Sequence, residues 1–137
     1  SDLSNLSETS QALRTAFRDS GMDESMIPGW YPDRYELVDI KTVSQNHFDA
    51  VVLSFKSKNS FMSISCIKYK VINKLDFRIF EKGEDSVEKY ISKNRVFYLM
   101  KNLDHNCGIW TNGSNMIAIS GDLTIEELKV IIKSMGE

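Results

Sequence analysis

The chain has 137 residues, which fits one folded domain and is long enough to bury a hydrophobic core. Apolar residues make up 42% and charged residues 26%, and the net charge of −2 predicts neither a nucleic-acid-binding protein nor a strongly acidic tail. Because no run of about 18 apolar residues occurs, we expect no transmembrane helix within this sequence.

Charge is unevenly distributed along the chain. Residues 1–40 contain three basic and eight acidic side chains, residues 41–101 contain twelve and six, and residues 102–137 contain two and five. We interpret this as acidic helices packed beside a basic sheet, with a polyanion-binding surface as the alternative.

The first predicted element is a helix in residues 1–21. Leu13, Ala16 and Phe17 lie at helical spacing on one apolar stripe, which Leu3 and Leu6 extend towards the N-terminus. Gly21 is placed to end the helix.

Residues 22–34 contain both prolines of the chain, Pro28 and Pro32, and are predicted to form an extended connector. Trp30 and Tyr31 lie between the prolines. Large aromatic residues in such a segment usually cover the edge of a core, and the alternative is an exposed platform for a ligand.

Residues 35–121 are predicted to form an antiparallel sheet. Tyr35–Ser44, Phe48–Ser57 and Phe61–Val71 are rich in β-branched and aromatic residues, and short polar breaks between them indicate a meander.

The rest of the predicted sheet consists of hairpins. Val87–Ile91 and Val96–Met100 indicate one, and strands ending at Trp110 and Gly121 indicate a second. Between meander and hairpins, Asn73–Phe80 is compatible with a strand or a short helix, followed by a loop at Glu81–Asp85.

A C-terminal helix is predicted for residues 124–135. Thr124 and Glu127 have the spacing of a capping box, and Leu123 and Leu128 that of a hydrophobic staple. The whole chain, residues 1–137, is therefore predicted to be a single α+β domain, with a curved antiparallel sheet, an N-terminal helix and a capped C-terminal helix.

Convergent catalytic groups are not apparent in the sequence. His47 and His105 lie in predicted loops, and a nucleophilic pair of Cys107 with a histidine is a weak alternative. Cys66 and Cys107 fit no metal-ligand spacing, although a disulfide between them is possible in an oxidising compartment.

Cofactor and metal signatures are absent as well. The acidic residues Glu84, Asp85 and Glu88 lack the alternation of a calcium loop and are interpreted as a solvated turn. Phosphate-binding and dinucleotide-binding motifs do not occur, so no cofactor and no metal are expected.

Two sequence blocks resemble an uncharacterised bacterial domain. The first is Pro28-x-Trp30-x-Pro32-x-x-Tyr35, in which Arg34 replaces the usual glycine of the family, so the turn before Tyr35 is expected to differ. The second block is the family's closing pattern, carried here by Trp110, Gly113, Gly121, Thr124, Glu126, Glu127, Leu128 and Ser134. Together the blocks and the strands between them cover about residues 27–135.

The resemblance implies a context as well as a fold. Domains of this family lie C-terminal to a membrane anchor in many Gram-positive proteins, some of them anti-sigma-factor-like. It therefore implies an extracytoplasmic, cell-surface location, with an anchor upstream of Ser1 and no established catalytic residues. At the level of fold alone, the sheet is similar to the half-barrels of lipoprotein carriers.

Three functions follow as hypotheses. The first is a non-enzymatic sensor or interaction domain whose partner is a protein or a cell-envelope component and not a nucleic acid. The second is a carrier for a lipid or another apolar small molecule, held between the sheet and the N-terminal helix by Trp30, Tyr31, Phe97 and Trp110. The third is a hydrolase, which lacks a nucleophile and a base at usable spacing.

Overall fold

The structure is a computed structural model that describes residues 2–71, 87–102 and 104–136, with residues 2–7 described by their backbone alone. Its helices are α1 (Asp2–Asp19), a short 3-10 helix (Glu24–Met26) and α2 (Ile125–Ser134). Its strands are β1 (Glu36–Ser44), β2 (Phe48–Lys56), β3 (Phe61–Tyr69), β4 (Val87–Ser92), β5 (Arg95–Lys101), β6 (Asn106–Thr111) and β7 (Asn115–Gly121).

The seven strands form one open, curved sheet in the order β1-β2-β3-β7-β6-β5-β4, and every neighbouring pair is antiparallel. This confirms the predicted α+β fold with its meander, its two hairpins and its two helices. The last strand returns to the middle of the sheet and pairs with β3, so the first meander and the last hairpin share a central seam.

Both helices cover the same face of this sheet. Alternate residues of β2 and β3, among them Leu53 and Ile64, are buried beneath them. Phe17 of α1 and Ile131 of α2 belong to the same buried cluster. Because full burial of such a side chain contributes about 1.5–3 kcal/mol, this shared core is what holds the helices on the sheet.

The capping box of α2 and the β4–β5 hairpin form where the sequence predicted them. In α2, the Glu127 N–H donates to Thr124 Oγ1 at 3.0 Å and the Thr124 N–H donates to Glu127 Oε1 at 3.0 Å, which completes the capping box. In the β4–β5 hairpin, Lys93 and Asn94 have φ values of 49° and 69°, as a two-residue type I′ turn requires.

Some predictions concern residues that the structure does not describe. The ambiguous segment Asn73–Phe80 and the loop Glu81–Asp85 lie outside the described residues, as do two members of the acidic group, Glu84 and Asp85. The side chains of Leu3 and Leu6 also lie outside them.

Both cysteines are free thiols in the structure. Cys66 pairs with Ile117 and faces the core, whereas Cys107 pairs with Ser120 and belongs to the opposite face of the sheet. A disulfide between them would have to pass through the sheet, so the structure does not contain the bond that the sequence left open.

Candidate binding groove

The four aromatic residues singled out from the sequence lie in three different environments. Phe97 and Trp110 are 1% and 9% exposed, and their ring centroids are 6.5 Å apart. Tyr31 is half-buried, with its ring 4.7 Å from that of Phe55, and Trp30 is 37% exposed. The structure thus brings Phe97 and Trp110 together in the core and leaves the ligand-binding role of all four a prediction.

Tyr31 lines a groove of about 490 Å³ between α1 and the connector, which we call the connector groove. The groove combines apolar, hydroxyl and charged side chains with backbone from two glycines. Its lining residues are Thr9, Ser10, Leu13, Arg14, Glu24, Ser25, Ile27, Pro28, Gly29, Tyr31 and Gly136.

The connector wall of the groove is tied to the end of α2. The hydroxyl of the buried Ser134 accepts hydrogen bonds at 3.0 Å from the backbone N–H groups of both Gly29 and Trp30. The Gly136 N–H donates to the carbonyl of Ile27 at 3.0 Å, which fixes the connector a second time. This wall is therefore preorganised, so a ligand would not lose binding free energy by ordering it.

Arg95 holds the N-terminal part of the connector wall in place through Ser25. Its guanidinium donates to the hydroxyl and the carbonyl of Ser25 at 2.6 and 3.2 Å, and it lies 4.8 Å from the ring centroid of Trp110. The buried Trp110 therefore contacts Arg95, which holds the connector wall, although Trp110 itself does not line the groove.

The opposite wall, α1, is held mainly by apolar contacts. Leu13 and Phe17 are buried in the core, and Ala16 packs against it. Arg18 and Glu24 approach to 3.9 Å with both side chains largely exposed, a distance and exposure at which an ion pair contributes little. The groove therefore has one wall fixed by hydrogen bonds and one wall fixed by side-chain packing.

Tyr31 gives the connector groove a neutral phenol. Burial, together with the nearby carboxylate of Glu36, raises the pKa of the Tyr31 hydroxyl above its ordinary value. The hydroxyl therefore stays protonated at neutral pH. Arg14 and Glu24 add one charge of each sign, so the lining suits a segment with both apolar and polar groups better than a purely apolar molecule.

Arg34 links the connector to the N-terminal end of α2 through hydrogen bonds. Its guanidinium donates to both carboxylate oxygens of Glu127 at 2.6 and 2.9 Å, and to the carbonyl of Asp122 at 2.8 Å. This hydrogen bonding raises the pKa of Arg34 and lowers that of Glu127. Arg34 is not among the described residues with positive φ, so its side chain is accommodated without backbone strain.

The residues considered for nucleophilic catalysis form no hydrogen-bonded pair within the described residues. His47 and His105 are exposed, and within residues 2–71, 87–102 and 104–136 no hydrogen bond joins either imidazole to a serine, a cysteine or a carboxylate. Burial raises the pKa of the Cys66 thiol to about 12 and also raises that of Cys107, which opposes formation of a thiolate in both cases.

Neither a membrane-spanning helix nor a cluster of metal ligands occurs in the part of the chain that the structure describes. None of its helices combines the length and the apolar character that crossing a bilayer requires. Within the same residues, no three or more histidine, cysteine, aspartate or glutamate side chains are grouped as metal ligands would be.

Comparison with protein families gives one match. Residues 25–135 match the model of a domain of unknown function, DUF4367. The matched range agrees with the range of the resemblance seen in the sequence and begins after α1. Among curated proteins and solved structures, no significant match to the chain is found.

Proposed function

The chain belongs to the DUF4367 family, and from this membership and the connector groove we propose that it is a non-enzymatic interaction domain. It acts outside the cytoplasm, as the sensor or binding part of a membrane-anchored protein of anti-sigma-factor-like type. Its ligand is a peptide segment of a partner protein. The location and the anchor are inferred from the sequence resemblance, and the ligand class from the groove.

The observation that carries this proposal is the difference between the two walls of the connector groove. One wall, the connector, lies almost entirely within the family match, and it is held by Ser134, Arg95 and the neighbouring Gly136. The other wall is α1, which precedes the family match and packs through an apolar stripe. A preorganised wall facing a helix with mixed side chains is an arrangement suited to a peptide, which presents backbone groups and side chains together.

The carrier hypothesis receives less support from the packing. A lipid held between the sheet and α1 would need an apolar cavity there. Phe17, Val51 and Leu53 are 0% exposed and belong to the same packed cluster as Leu13. The nearby groove, in contrast, contains hydroxyl and charged groups, which favour a peptide over an acyl chain.

The non-enzymatic part of the proposal is supported by the absence of a hydrogen-bonded nucleophile and base among the described residues. A nucleophile needs a base within hydrogen-bond reach, and the raised thiol pKa values oppose activation of either cysteine. A hydrolase would instead require a serine hydroxyl hydrogen-bonded to a histidine, and within the described ranges both imidazoles are exposed and neither forms a hydrogen bond with a serine.

Two matched tryptophan substitutions test the proposal. Thr9 lines the connector groove, whereas Thr15 lies on the other flank of α1, in the space between that helix and β1. Peptides would first be selected from a phage-displayed random library for binding to the wild-type chain. Their affinities for the wild type, Thr9→Trp and Thr15→Trp would then be measured by calorimetry. We expect Thr9→Trp to weaken binding by at least about tenfold, since an indole would fill the groove, and Thr15→Trp to leave it unchanged.

Two outcomes would refute the proposed function. One is a selection that enriches no peptide above phage without an insert. The other is a set of peptides whose affinity falls equally in the two variants, because such peptides bind away from the connector groove.

A further inference from the structure

A second concave site lies where β3 begins and β7 ends. It is a cleft of about 590 Å³, which we call the serine cleft, and none of its lining residues is shared with the connector groove. Two strongly exposed apolar side chains line it, Val38 at 55% and Phe61 at 69%. Val38 lies within the β-bulge of β1 between Leu37 and Asp39, where a strand irregularity redirects a side chain.

Three serine hydroxyls line the same cleft in a row across neighbouring strands. Ser54 of β2 pairs with Ser63 of β3, and Ser63 pairs in turn with Ser120 of β7. Since neighbouring strands lie about 4.8 Å apart, the row presents evenly spaced hydroxyls on the face opposite the helices.

These hydroxyls are available to a ligand. All three serines are half-buried, and no side chain or backbone group of the described residues forms a hydrogen bond with their hydroxyls. Each hydroxyl can donate one hydrogen bond and accept others, so the row can match a ligand that also carries both donors and acceptors.

Charged residues at the rim of the serine cleft determine which ligand charge the cleft accepts. Asp104, His105 and Asp122 line it, and Lys56 lies with its ammonium 5.9 Å from the ring centroid of Phe61. The two carboxylates disfavour a phosphate or another anion, and the ammonium already beside the ring disfavours a cation there. A neutral ligand avoids both penalties, and the carboxylates can accept hydrogen bonds from its hydroxyls.

From these features we propose that the serine cleft binds a neutral oligosaccharide. A sugar ring has an apolar face of C–H groups, which suits the exposed ring of Phe61 and the side chain of Val38. Its edge carries hydroxyls that donate and accept, which suits Ser54, Ser63 and Ser120. This proposal is independent of the peptide proposal, because the two sites share no residue.

The test is a titration of the ¹⁵N-labelled chain with chitotriose and, separately, with maltotriose, followed by NMR chemical shifts up to about 20 mM, which detects millimolar dissociation constants. The two trisaccharides distinguish an N-acetylated, cell-wall-like sugar from a plain glucose polymer. We expect at least one of them to shift the amide signals of Phe61, Ser63, Ser120 and His105, with the connector unaffected.

Substitutions make the titration specific. Phe61→Ala and Ser63→Ala should each weaken binding at least severalfold, and Ile91→Ala is the matched control, since Ile91 is 68% exposed on β4 and does not line the cleft. The exposure of Phe61 means that its loss leaves the core intact, which circular dichroism would verify. The proposal is wrong if neither trisaccharide shifts these signals, or if Phe61→Ala and Ile91→Ala bind the sugar alike.

Discussion

At the scale of single residues, Ser134 connects the two sequence blocks that define the family resemblance. It lies near the end of α2, accepts two hydrogen bonds from the connector and donates one to the carbonyl of Ile131 at 2.6 Å. The sequence marked Ser134 only as part of a pattern. Its role depends on a contact with residues more than 100 positions away, which no local signal can reveal.

Replacement of Ser134 by alanine should therefore destabilise the domain. The Trp30 N–H would lose the acceptor to which it donates, whereas the Gly29 N–H keeps the Ser134 carbonyl at 3.2 Å. We expect a loss of about 1–3 kcal/mol in the free energy of unfolding, measured by urea denaturation. Ser65→Ala, at a half-buried serine of β3 without a described side-chain partner, is the control and should cost much less. Equal losses would show that the Ser134 hydroxyl does not hold the connector.

At the scale of elements, Glu127 serves both the helix and the connector. It closes the capping box of α2 and accepts the bidentate contact from Arg34. The capping box was predictable because Thr124 and Glu127 are three residues apart. The contact with Arg34 was not, because it depends on how the connector lies against α2.

Acidification should weaken the contact between Arg34 and Glu127, and a comparison of the wild type with Glu127→Gln isolates this effect. Hydrogen bonds from Arg34 keep the pKa of Glu127 in the folded state below its ordinary value of 4.5. The contribution of Glu127 to stability is therefore present above that ordinary value and is lost as the pH falls through the lower, folded-state pKa. Between about pH 6 and pH 3, the wild type should lose more unfolding free energy than Glu127→Gln.

The control for this prediction is Glu126→Gln on the same turn of α2. Glu126 contacts Lys129 at 3.6 Å with its side chain 83% exposed, so the variant should follow the wild type through the same titration. Asp23 and Asp49 also have lowered pKa values, but they are present in all three proteins and cancel in the comparison. Parallel curves for the wild type and Glu127→Gln would contradict the assignment.

The order of strands shows the limit of what the sequence predicted at this scale. Enrichment in β-branched and aromatic residues, together with short polar breaks, predicted the strands and their hairpins, because these signals act within a few residues. The pairing of β3 with β7 depends on the packing of the whole sheet. The row formed by Ser54, Ser63 and Ser120 follows from that pairing, so it could not be recognised before the register was known.

At the scale of the whole molecule, the chain combines a family domain with a helix that precedes the family match. Selecting candidate site residues by aromatic type identified Tyr31, which lines the connector groove. It also identified Phe97 and Trp110, which lie in the core. Residue type alone does not separate these cases, because burial depends on which strands and helices pack around each ring. The groove appears only where α1 and the connector meet.

We propose above that a partner peptide binds in the connector groove, and chemical-shift mapping of the ¹⁵N-labelled chain with a library-selected peptide locates that binding surface. We expect shifts confined to the amides of the groove, including Ile27, Gly29, Tyr31 and Gly136. Shifts that leave these amides unchanged and instead lie along a sheet edge or in the serine cleft would contradict this proposal.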